Sequence, residues 1–334
     1  RLYEKAGVTP ADITTLNDIR RVPKVDKSMM RDIQGKAPFP YGDALCVPLE
    51  EVVQFRQTSG TTGQPVYQPD TWQDWEWWAE CWAYILWAQG YRPGDRFFIP
   101  FGDNVFVAFW AGHYAAEKIG CEVVPGGVLD TQARILKIKE LRATAMMGTP
   151  TYILGMAETA KRKMDIDPAT LGISKITCAG EPGASIASTK RRMESAWNAK
   201  DVIMWGHAPC PCGRSFRLLK GGVLGRTDDI TKVKGVLLSP AAMEEVVRSI
   251  DGLGDEYEVI VDRLGDIDRI KLKVEIAPGC EDMAKRLESI LKDRLRLKTN
   301  LGYRIEFYDH GKLLRYEVKA KRFKDMRKDS LHSR

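Results

Sequence analysis

Short apolar runs alternate with longer segments of helical spacing through the middle of the chain. Residues 95–102 (DRFFIPFG), 121–127 (CEVVPGG) and 173–183 (ISKITCAGEPG) are apolar runs that end at glycine, which predicts buried strands. Residues 106–120 have the spacing of a helix, and residues 143–163 predict a strand, a turn and a second helix. This repeated alternation predicts a parallel sheet that is covered by helices on both faces.

The segment before this sheet carries a dense group of aromatic residues. Its tryptophans are Trp72, Trp75, Trp77, Trp78, Trp82 and Trp87. Several are separated by three or four residues, which places them on one heavily aromatic helix. Because aromatic side chains bury large apolar surfaces, we expect this helix to face the core or another subunit, and we favour this over a role in stacking on a ligand.

The pattern changes after Gly225. The predicted elements that follow are helices at 240–250 and 280–297 and strands at 257–263, 268–277 and 303–309. Together they form an α+β unit of about a hundred residues, a size that suits a separate domain. The sequence therefore predicts an N-terminal domain at 1–224 and a small C-terminal domain at 225–334.

Composition and charge narrow the class of protein. The chain has 334 residues, of which 44% are hydrophobic and 29% charged, values typical of a soluble globular protein. No run of about 18 apolar residues occurs, so we expect no membrane partner. The formal charge of +6 suits a polyanionic ligand or a surplus of cations on solvated faces, and we expect no nucleic-acid partner. Scattered cysteines indicate no disulfide framework, which favours the cytoplasm.

A loop rich in glycine and hydroxyl groups follows the strand-like residues 54–57. Its members are Thr58, Ser59, Gly60, Thr61, Thr62 and Gly63. Glycines let the backbone approach a ligand closely, and successive N–H groups in such a turn can converge on an anion. The loop therefore predicts a cradle for phosphate oxygens. It contains no Walker motif, and an ordinary surface turn stays open as the alternative.

Several motifs, in the same order along the chain, resemble those of the adenylate-forming enzymes, and within them the phenylacetate-CoA ligase family. They are residues 6–31, the loop at 56–70, GHYAAEKIGCEVVPGG (112–127), TPTYILGMAE (149–158), CAGEPG (178–183), CPCGR (210–214) with GRTDDITKVKGVLLSP (225–240), and RYEVKAKRFKD (315–325). The resemblance covers nearly the whole chain. It implies an α/β adenylate-forming fold, with a large N-terminal domain of helix-covered sheets and a small, mobile α+β C-terminal domain.

The resemblance also implies an AMP-forming acyl-CoA ligase that uses ATP, Mg²⁺ and coenzyme A. Such an enzyme joins a carboxylic acid to AMP, after which coenzyme A displaces the AMP. Lys319 matches the catalytic lysine that bridges the carboxylate and phosphate oxygens, and Arg226 matches an arginine near the nucleotide. Asp228 matches the hinge about which the C-terminal domain turns between the two reactions.

The same resemblance assigns residues to the nucleotide. Residues 58–63 match the phosphate-binding loop. The segment that lies along the adenine is matched by Ala179, Gly180, Glu181 and Pro182. Asp201 matches the aspartate that accepts hydrogen bonds from the ribose hydroxyls.

The chain departs from the family's pattern in two places. The aromatic-Thr-Glu motif is absent, which predicts a missing segment near Ala199–Lys200 and leaves the Mg²⁺-binding glutamate, and hence any metal ligand, unassigned. Gln64 stands where the family commonly has lysine. His207, Cys210 and Cys212 are too few for a complete zinc site, so reduced thiols are favoured while zinc stays open.

The acyl pocket and the function retain alternatives. Phe109 and Trp110 are larger than the residues common in the family, and Asp103 could accept from a hydroxyl, which favours a small, branched 2-hydroxy acid, as in members of the 2-hydroxyisobutyryl-CoA ligase type. Phenylacetate or another aryl acid stays open. So do AMP transfer of the kind made by coenzyme F390 synthetase, an inactive nucleotide-binding homologue, and a homodimer.

Overall fold

A computed structural model gives the structure of most of the chain. The residues that it describes are 2–36, 38–58, 64–102, 107–180, 186–199, 201–202, 231–234, 236–264, 267–316 and 322–327. Side chains are described at all of these except 2, 107–109, 201–202, 232 and 237. The chain forms two compact units, the first made mainly of Arg1–Trp78 and the second mainly of Ala79–Gly102 and Ala108–Arg334.

Helices and strands alternate through residues 72–202, as the sequence predicts for the middle of the chain. The helices are α1 (Leu2–Lys5), α2 (Lys27–Gln34), α3 (Trp72–Ala88), α4 (Val107–Lys118), α5 (Thr131–Leu141), α6 (Pro150–Met164), α7 (Ala187–Trp197), α8 (Pro240–Arg248) and α9 (Ala284–Thr299). The strands are β1 (Gln54–Gln57), β2 (Tyr67–Asp70), β3 (Arg96–Ile99), β4 (Glu122–Pro125), β5 (Ala145–Gly148), β6 (Lys175–Cys178), β7 (Asp201–Val202), β8 (Thr231–Val233), β9 (Val236–Leu238), β10 (Leu253–Leu264), β11 (Ile267–Ile276), β12 (Arg304–Tyr308) and β13 (Phe323–Asp325). In the described part of the chain, no helix has both the length and the apolar character that a membrane crossing requires.

The first unit holds the antiparallel strands β1 and β2 against helix α2. The buried Gln34 side chain donates from Nε2 to the carbonyl of Tyr67 at 2.6 Å, and its Oε1 accepts from the Tyr67 amide at 2.9 Å. This side chain therefore satisfies both backbone groups of one strand residue, as a neighbouring strand would. Arg31 Nε donates to the carbonyl of Gln64 at 2.7 Å. These bonds tie α2 to the first residue of β2 and to Gln64, three residues before it.

The second unit is built on a parallel sheet with the strand order β4-β3-β5-β6-β7. The chain passes from β3 to β4 on one side and then crosses to β5 on the other side of β3, so the strand order reverses between β3 and β5. In open α/β sheets, ligands bind outside the carboxyl ends of the strands at such a reversal. The topology thus points to the residues that follow Ile99 and Gly148.

Helices cover both faces of this sheet, which confirms the predicted architecture. Phe98 and Met146 pack with residues of α5, α6 and α7 on one face. Their neighbours Phe97 and Met147 pack with residues of α3 and α4 on the other face. Successive strand side chains point to opposite faces, so apolar residues at every strand position are the expected pattern for a sheet that is buried on both sides.

The tryptophan-rich helix α3 is only partly a core helix. Trp75 is almost completely buried, and Trp82 packs against the core of the second unit. Trp72, Trp77 and Trp87 are exposed. The prediction of a core-facing helix is therefore confirmed for one side of α3, while the prediction that it faces a subunit stays a prediction.

Residues 231–327 form an α+β arrangement with a core of its own. Strand β10 pairs antiparallel with β11, and the outer strands β12 and β13 pair parallel with them in the order β12-β11-β10-β13. Helices α8 and α9 pack on this sheet through side chains such as Val247 and Leu291. The buried cluster here shares no residue with the two clusters of the parallel sheet. The second compact unit thus contains separate hydrophobic cores.

Candidate functional site

The loops at the carboxyl ends of β3 and β4 touch backbone to backbone. A Cβ placed on Gly127 would lie 2.5 Å from the Cα of Gly102, which is closer than two nonbonded carbon atoms approach in proteins. Gly148, the last residue of β5, is similarly tight, because a Cβ there would lie 3.0 Å from the Ile153 side chain and 3.3 Å from the Phe101 ring. Glycine is therefore required where these loops meet, and the edge of the sheet is closely packed around them.

A buried arginine organises the loop that follows β4. Arg134, in the first turn of α5, donates from Nε to the carbonyl of Gly126 at 3.0 Å and from Nη2 to that of Gly127 at 2.8 Å. Its Nη1 donates to the Tyr152 hydroxyl at 2.5 Å, which links the loop to α6. Sequence reasoning missed this residue, because an arginine within a helical segment has no signal that distinguishes it from a surface residue.

Some of the predicted nucleotide-binding residues lie at strand ends. The Thr58 amide donates to the carbonyl of Val66, and its Oγ1 accepts from the Val66 amide, each at 3.0 Å, so Thr58 closes the β1–β2 pair. The Ala179 amide donates to the carbonyl of Gly148 at 3.1 Å, and Gly180 has a left-handed φ of 94°. Ala179 and Gly180 therefore stand at the carboxyl edge, beside the end of β5.

The sheet does not bring Asp201 to this edge. Asp201 begins β7 and pairs with Lys175, the first residue of β6, whereas Ala179 follows the end of β6. The distance along β6 between Lys175 and Ala179 is about 13 Å, given a rise of about 3.3 Å per residue. The backbone position of Asp201 is thus at the amino end of the strands, and its assignment to the ribose draws no support from the sheet.

Trp110 is the member of the predicted acyl pocket whose side chain is described. It is half-buried on α4 and its ring is stacked on that of Tyr114, with centroids 6.2 Å apart and planes inclined by 17°. The other predicted residues that lie outside the described residues or side chains are Ser59, Gly60, Thr61, Thr62, Gly63, Asp103, Phe109, Glu181, Pro182, His207, Cys210, Cys212, Arg226, Asp228 and Lys319. Their roles stay predictions.

A buried arginine connects residues 231–327 to the carboxyl end of β5. Arg322 donates from Nη2 to both carboxylate oxygens of Glu256 at 2.9 Å and from Nη1 to Thr151 Oγ1 at 2.8 Å. Thr151 is the second residue of α6 and stands three positions after the end of β5. Burial raises the pKa of the Glu256 carboxyl, against the opposing effect of the Arg322 charge. Sequence reasoning did not find this contact.

Further along α6, a cluster of charged groups makes a second connection. Glu158 of α6 accepts from Arg315 Nη2 at 3.0 Å and is also bound by His310 Nε2. Arg315 donates to both oxygens of Glu275, at 2.7 and 2.8 Å. Two carboxylates from different parts of the chain thus share one guanidinium.

Helix α7 makes the third connection, with α8 and the start of β10. Arg192 Nη1 donates to Asp255 Oδ1 at 2.5 Å, and its Nε donates to the carbonyl of Arg248 at 3.0 Å. Although burial raises it, the pKa of Asp255 is held below its ordinary value by the charges of Arg248 and Arg192. Hydrogen bonds and ion pairs therefore connect residues 231–327 to α6 and α7 at three places.

Comparison with known proteins shows which enzymes this chain resembles. The family model of the AMP-binding enzyme C-terminal domain matches residues 235–327. The phenylacetate-coenzyme A ligase of Pseudomonas putida is 26% identical over 388 aligned residues, which cover 95% of this chain and 87% of that protein. The phenylacetate-coenzyme A ligase of Escherichia coli (strain K12) is 25% identical, with 98% of this chain and 90% of that protein covered.

The first of these alignments is longer than the 334 residues of the chain, so that relative contains residues with no counterpart here. The location of a missing segment near Ala199–Lys200 stays a prediction.

A solved structure shares the fold. That of 2-hydroxyisobutyryl-CoA ligase in the postadenylation state, in complex with 2-HIB-AMP, superposes with a TM-score of 0.88 at 22% identity, covering 99% of this chain and 86% of the other. Against the same ligase in the thioesterification state, with 2-HIB-AMP and CoA, the TM-score is 0.63. The agreement of the backbones thus depends on the state of that ligase. The chain is a homologue of the phenylacetate-coenzyme A ligases and has the fold of an adenylate-forming enzyme.

Proposed function

We propose that the protein is an AMP-forming acyl-CoA ligase, which activates a carboxylic acid with ATP and then transfers the acyl group to coenzyme A. The relatives named above are CoA ligases, and the chain spans most of their length. The observation that carries the proposal is the contact of Arg322 with Thr151, because it joins the C-terminal domain to the carboxyl end of β5. That edge is where parallel sheets of this kind bind their ligands.

The chemistry divides into two half-reactions. In the first, a carboxylate oxygen attacks the α-phosphorus of ATP and pyrophosphate leaves. In the second, the thiol of coenzyme A attacks the acyl carbonyl carbon and AMP leaves. Both reactants of the first step are anions, so a cation that is oriented toward the transferring group lowers the barrier to their meeting.

Lys319 is our candidate for that cation. It stands three residues before Arg322 in the chain, and Arg322 is fixed at the carboxyl end of β5. Lysine suits this task, since it carries a compact charge on a long, flexible side chain.

The nucleotide is assigned to the glycine loop and to the edge of β6. We propose that residues 58–63 hold phosphate oxygens, that residues 179–182 lie along the adenine, and that Arg226 lies near the nucleotide. Mg²⁺ would offset the charge of the phosphates when bound. No group of three or more His, Cys, Asp or Glu side chains within the described ranges could hold a metal ion, so we assign it no ligands.

The C-terminal domain takes part in both half-reactions by changing its position about a hinge, for which Asp228 is our candidate. Support for this comes from the polar character of the contacts between residues 231–327 and helices α6 and α7. These contacts are made by Arg322, Arg315 and Arg192. Interfaces of this polar kind resemble those of transient complexes, and domains that meet through them are free to separate.

For the acid, we propose a small, branched 2-hydroxy acid. Phe109 and Trp110 occupy positions where the family tends to have smaller residues, and Trp110 is half-buried against Tyr114. Extra side-chain volume in a packed site excludes atoms of the ligand. An aryl acid such as phenylacetate is the second candidate, because the relatives are named for it.

The test is an assay of pyrophosphate and AMP release with a panel of acids. Purified protein receives ATP, Mg²⁺ and either 2-hydroxyisobutyrate, phenylacetate, benzoate or no acid, each with and without coenzyme A. We expect acid-dependent release of pyrophosphate, release of AMP only when coenzyme A is present, and the highest kcat/KM with 2-hydroxyisobutyrate.

Each other result excludes a defined part of the proposal. No pyrophosphate with any acid would exclude the ligase and favour an inactive homologue. AMP transfer to a deazaflavin without coenzyme A would favour an AMP transferase. A higher kcat/KM with phenylacetate would leave the ligase in place and overturn the small acid.

A further inference from the structure

The contact of Arg322 with Glu256 and Thr151 is buried and is made by several hydrogen bonds, unlike an ion pair on the surface. The three residues are 7%, 4% and 4% exposed. Arg322 forms two hydrogen bonds to one carboxylate and a third to the hydroxyl of Thr151, so its guanidinium is held in one orientation. Its charge also lies over the ring of Tyr257, 5.2 Å from the centroid.

Stability alone is a weak reason for this arrangement. Removing two charges from water costs free energy that their attraction often fails to recover, and apolar residues of similar volume hold a protein together at least as well. A buried pair with a fixed geometry does, however, define one position of two elements relative to each other. Here the elements are β10, which carries Glu256, and α6, which carries Thr151.

The contact also involves residues that are close in the chain to Lys319, the proposed catalytic cation. Arg322 also lies over the ring of Tyr316, 5.9 Å from the centroid, so the two residues that flank 317–321 meet at one place. Arg315, the residue before Tyr316, binds Glu158 two turns further along α6. Arg315 and Arg322, which lie in the chain on either side of Lys319, therefore both contact α6.

We propose that Arg322, oriented by Glu256 and bound to Thr151, is a positioning residue for the adenylation half-reaction. It fixes the C-terminal domain, which carries Lys319, on α6 for adenylation, and it is released from Thr151 when the domain moves for the coenzyme A step. This role rests on the proposed function. Arg322 acts by holding the domain for the first half-reaction, so it raises the rate of that step and leaves the chemistry of the second unaffected.

The test separates the two half-reactions in four variants. Arg322→Lys keeps the charge but lacks the two guanidinium nitrogens that bind Glu256 and Thr151 at the same time, and Glu256→Gln keeps the shape and loses the charge. Thr151→Val removes the hydroxyl that accepts from Arg322, and Thr151→Ser restores it. Arg269→Lys is the control, because Arg269 of β11 binds Asp262 of β10 through Nε and Nη2, at 2.8 and 3.1 Å, in an exposed position.

The measurements are acid-dependent pyrophosphate release and the conversion of supplied acyl-AMP plus coenzyme A to the thioester. We expect Arg322→Lys, Glu256→Gln and Thr151→Val to lower kcat of adenylation by about 10- to 100-fold, the size of effect that a small misplacement of a reacting group produces. The thioester step should stay within about 2-fold of wild type or become faster, since only the adenylation geometry is lost. Thr151→Ser and Arg269→Lys should behave like wild type in both steps.

The outcomes distinguish this role from others. Equal losses in both half-reactions would show that the contact serves folding only, and unchanged adenylation in Arg322→Lys and Thr151→Val would show that it positions nothing. A wild-type protein that is inactive with every acid would instead overturn the proposed function, and this role with it. Thioester formation by the variants is itself the demonstration that they are folded.

Discussion

At the scale of single residues, the two cations near the end of the chain have chemistries that suit different tasks. Arg322 is planar and buried, and its Nη2 donates to both carboxylate oxygens of Glu256 while its Nη1 donates to Thr151. Binding two partners through two nitrogens of one planar group fixes an orientation. Lys319, three residues before it, is the proposed catalytic cation, and a point charge on a flexible stem can follow a reacting group as charge moves to the leaving pyrophosphate.

Replacing Lys319 by alanine tests this division. Adenylation should fall by about 100-fold or more, the loss typical of removing one group that stabilises a transition state. Thioester formation from supplied acyl-AMP should be retained. The matched control is Lys324→Ala, an exposed lysine of β13 that pairs with Glu258, and it should leave both rates unchanged. Normal adenylation by Lys319→Ala would remove the catalytic assignment.

At the scale of elements, the amino ends of the central strands are held together by Asp95. This carboxylate accepts from Lys175 Nζ at 2.7 and 2.9 Å, from Thr144 Oγ1 at 2.9 Å and from the Arg92 amide at 2.8 Å. Although burial raises it, the pKa of Asp95 is held below its ordinary value by these donors and by the Lys175 charge. The network joins the starts of β3, β5 and β6, at the opposite end from the proposed site.

The Asp95 network makes stability depend on pH in a defined direction. Because the pKa is lower in the folded state, the ionised carboxylate stabilises the fold above the ordinary value of 3.8, and this contribution is lost as pH falls through the folded pKa. We expect Asp95→Asn to lower the free energy of unfolding at pH 7 by about 1.5–3 kcal/mol, as for hydrogen bonds to a charged group.

The measurement for Asp95→Asn is urea unfolding between pH 7 and pH 3. The difference from wild type should be constant in the upper part of this range and shrink below a pH of about 4. Asp262→Asn, which breaks the exposed pair with Arg269, is the control, and exposed pairs contribute only about 0–1 kcal/mol. A difference that is the same at every pH would mean that the charge of Asp95 is unimportant.

At the scale of the whole molecule, residues 231–327 contain a buried core of their own. Side chains such as Val261, Leu272 and Leu291 are completely buried within it. Its connections to α6 and α7 include ion pairs, as between Arg192 and Asp255, rather than residues shared between the cores. Removing those connections should therefore leave its own core intact.

We expect a fragment of residues 231–327 to fold alone and to unfold cooperatively in urea, with an m-value of about 1–3 kcal/mol per molar as for other small domains. Leu291→Ala should lower the free energy of unfolding of the fragment by about 2–5 kcal/mol, the usual cost of truncating a buried leucine. Circular dichroism during a urea titration measures both. A fragment that lacks a cooperative transition would show that its core depends on α6 and α7.

The sequence predicted those features that leave a periodic pattern. Apolar residues at successive positions such as Phe97 and Phe98 indicate a strand buried on both faces, and the structure has them on opposite sides of the sheet. Glycines such as Gly127 mark the loops at the strand ends. Family motifs added the likeness to phenylacetate-coenzyme A ligases, which no periodicity reveals.

The contacts that the sequence did not predict connect residues far apart in the chain. Arg322 binds Thr151 and Glu256, which are 171 and 66 residues away, and Arg134 binds the carbonyl oxygens of a neighbouring loop. A single arginine has the same appearance in a sequence whether it is buried or solvated. The position of Asp201 at the amino end of the sheet was hidden for a related reason, since a motif match does not say which end of a strand a residue occupies.

The ion pairs that join the C-terminal domain to α6 have a thermodynamic consequence for ligands. If one ligand binds more tightly while Arg322 holds Thr151, that ligand must strengthen the contact by the same factor. A second ligand that needs the domain elsewhere must bind more weakly while the contact lasts. Under the proposed function, weakening the contact would lower the affinity for the acid and ATP and raise that for coenzyme A. Arg322 would thus set the order in which the substrates are bound.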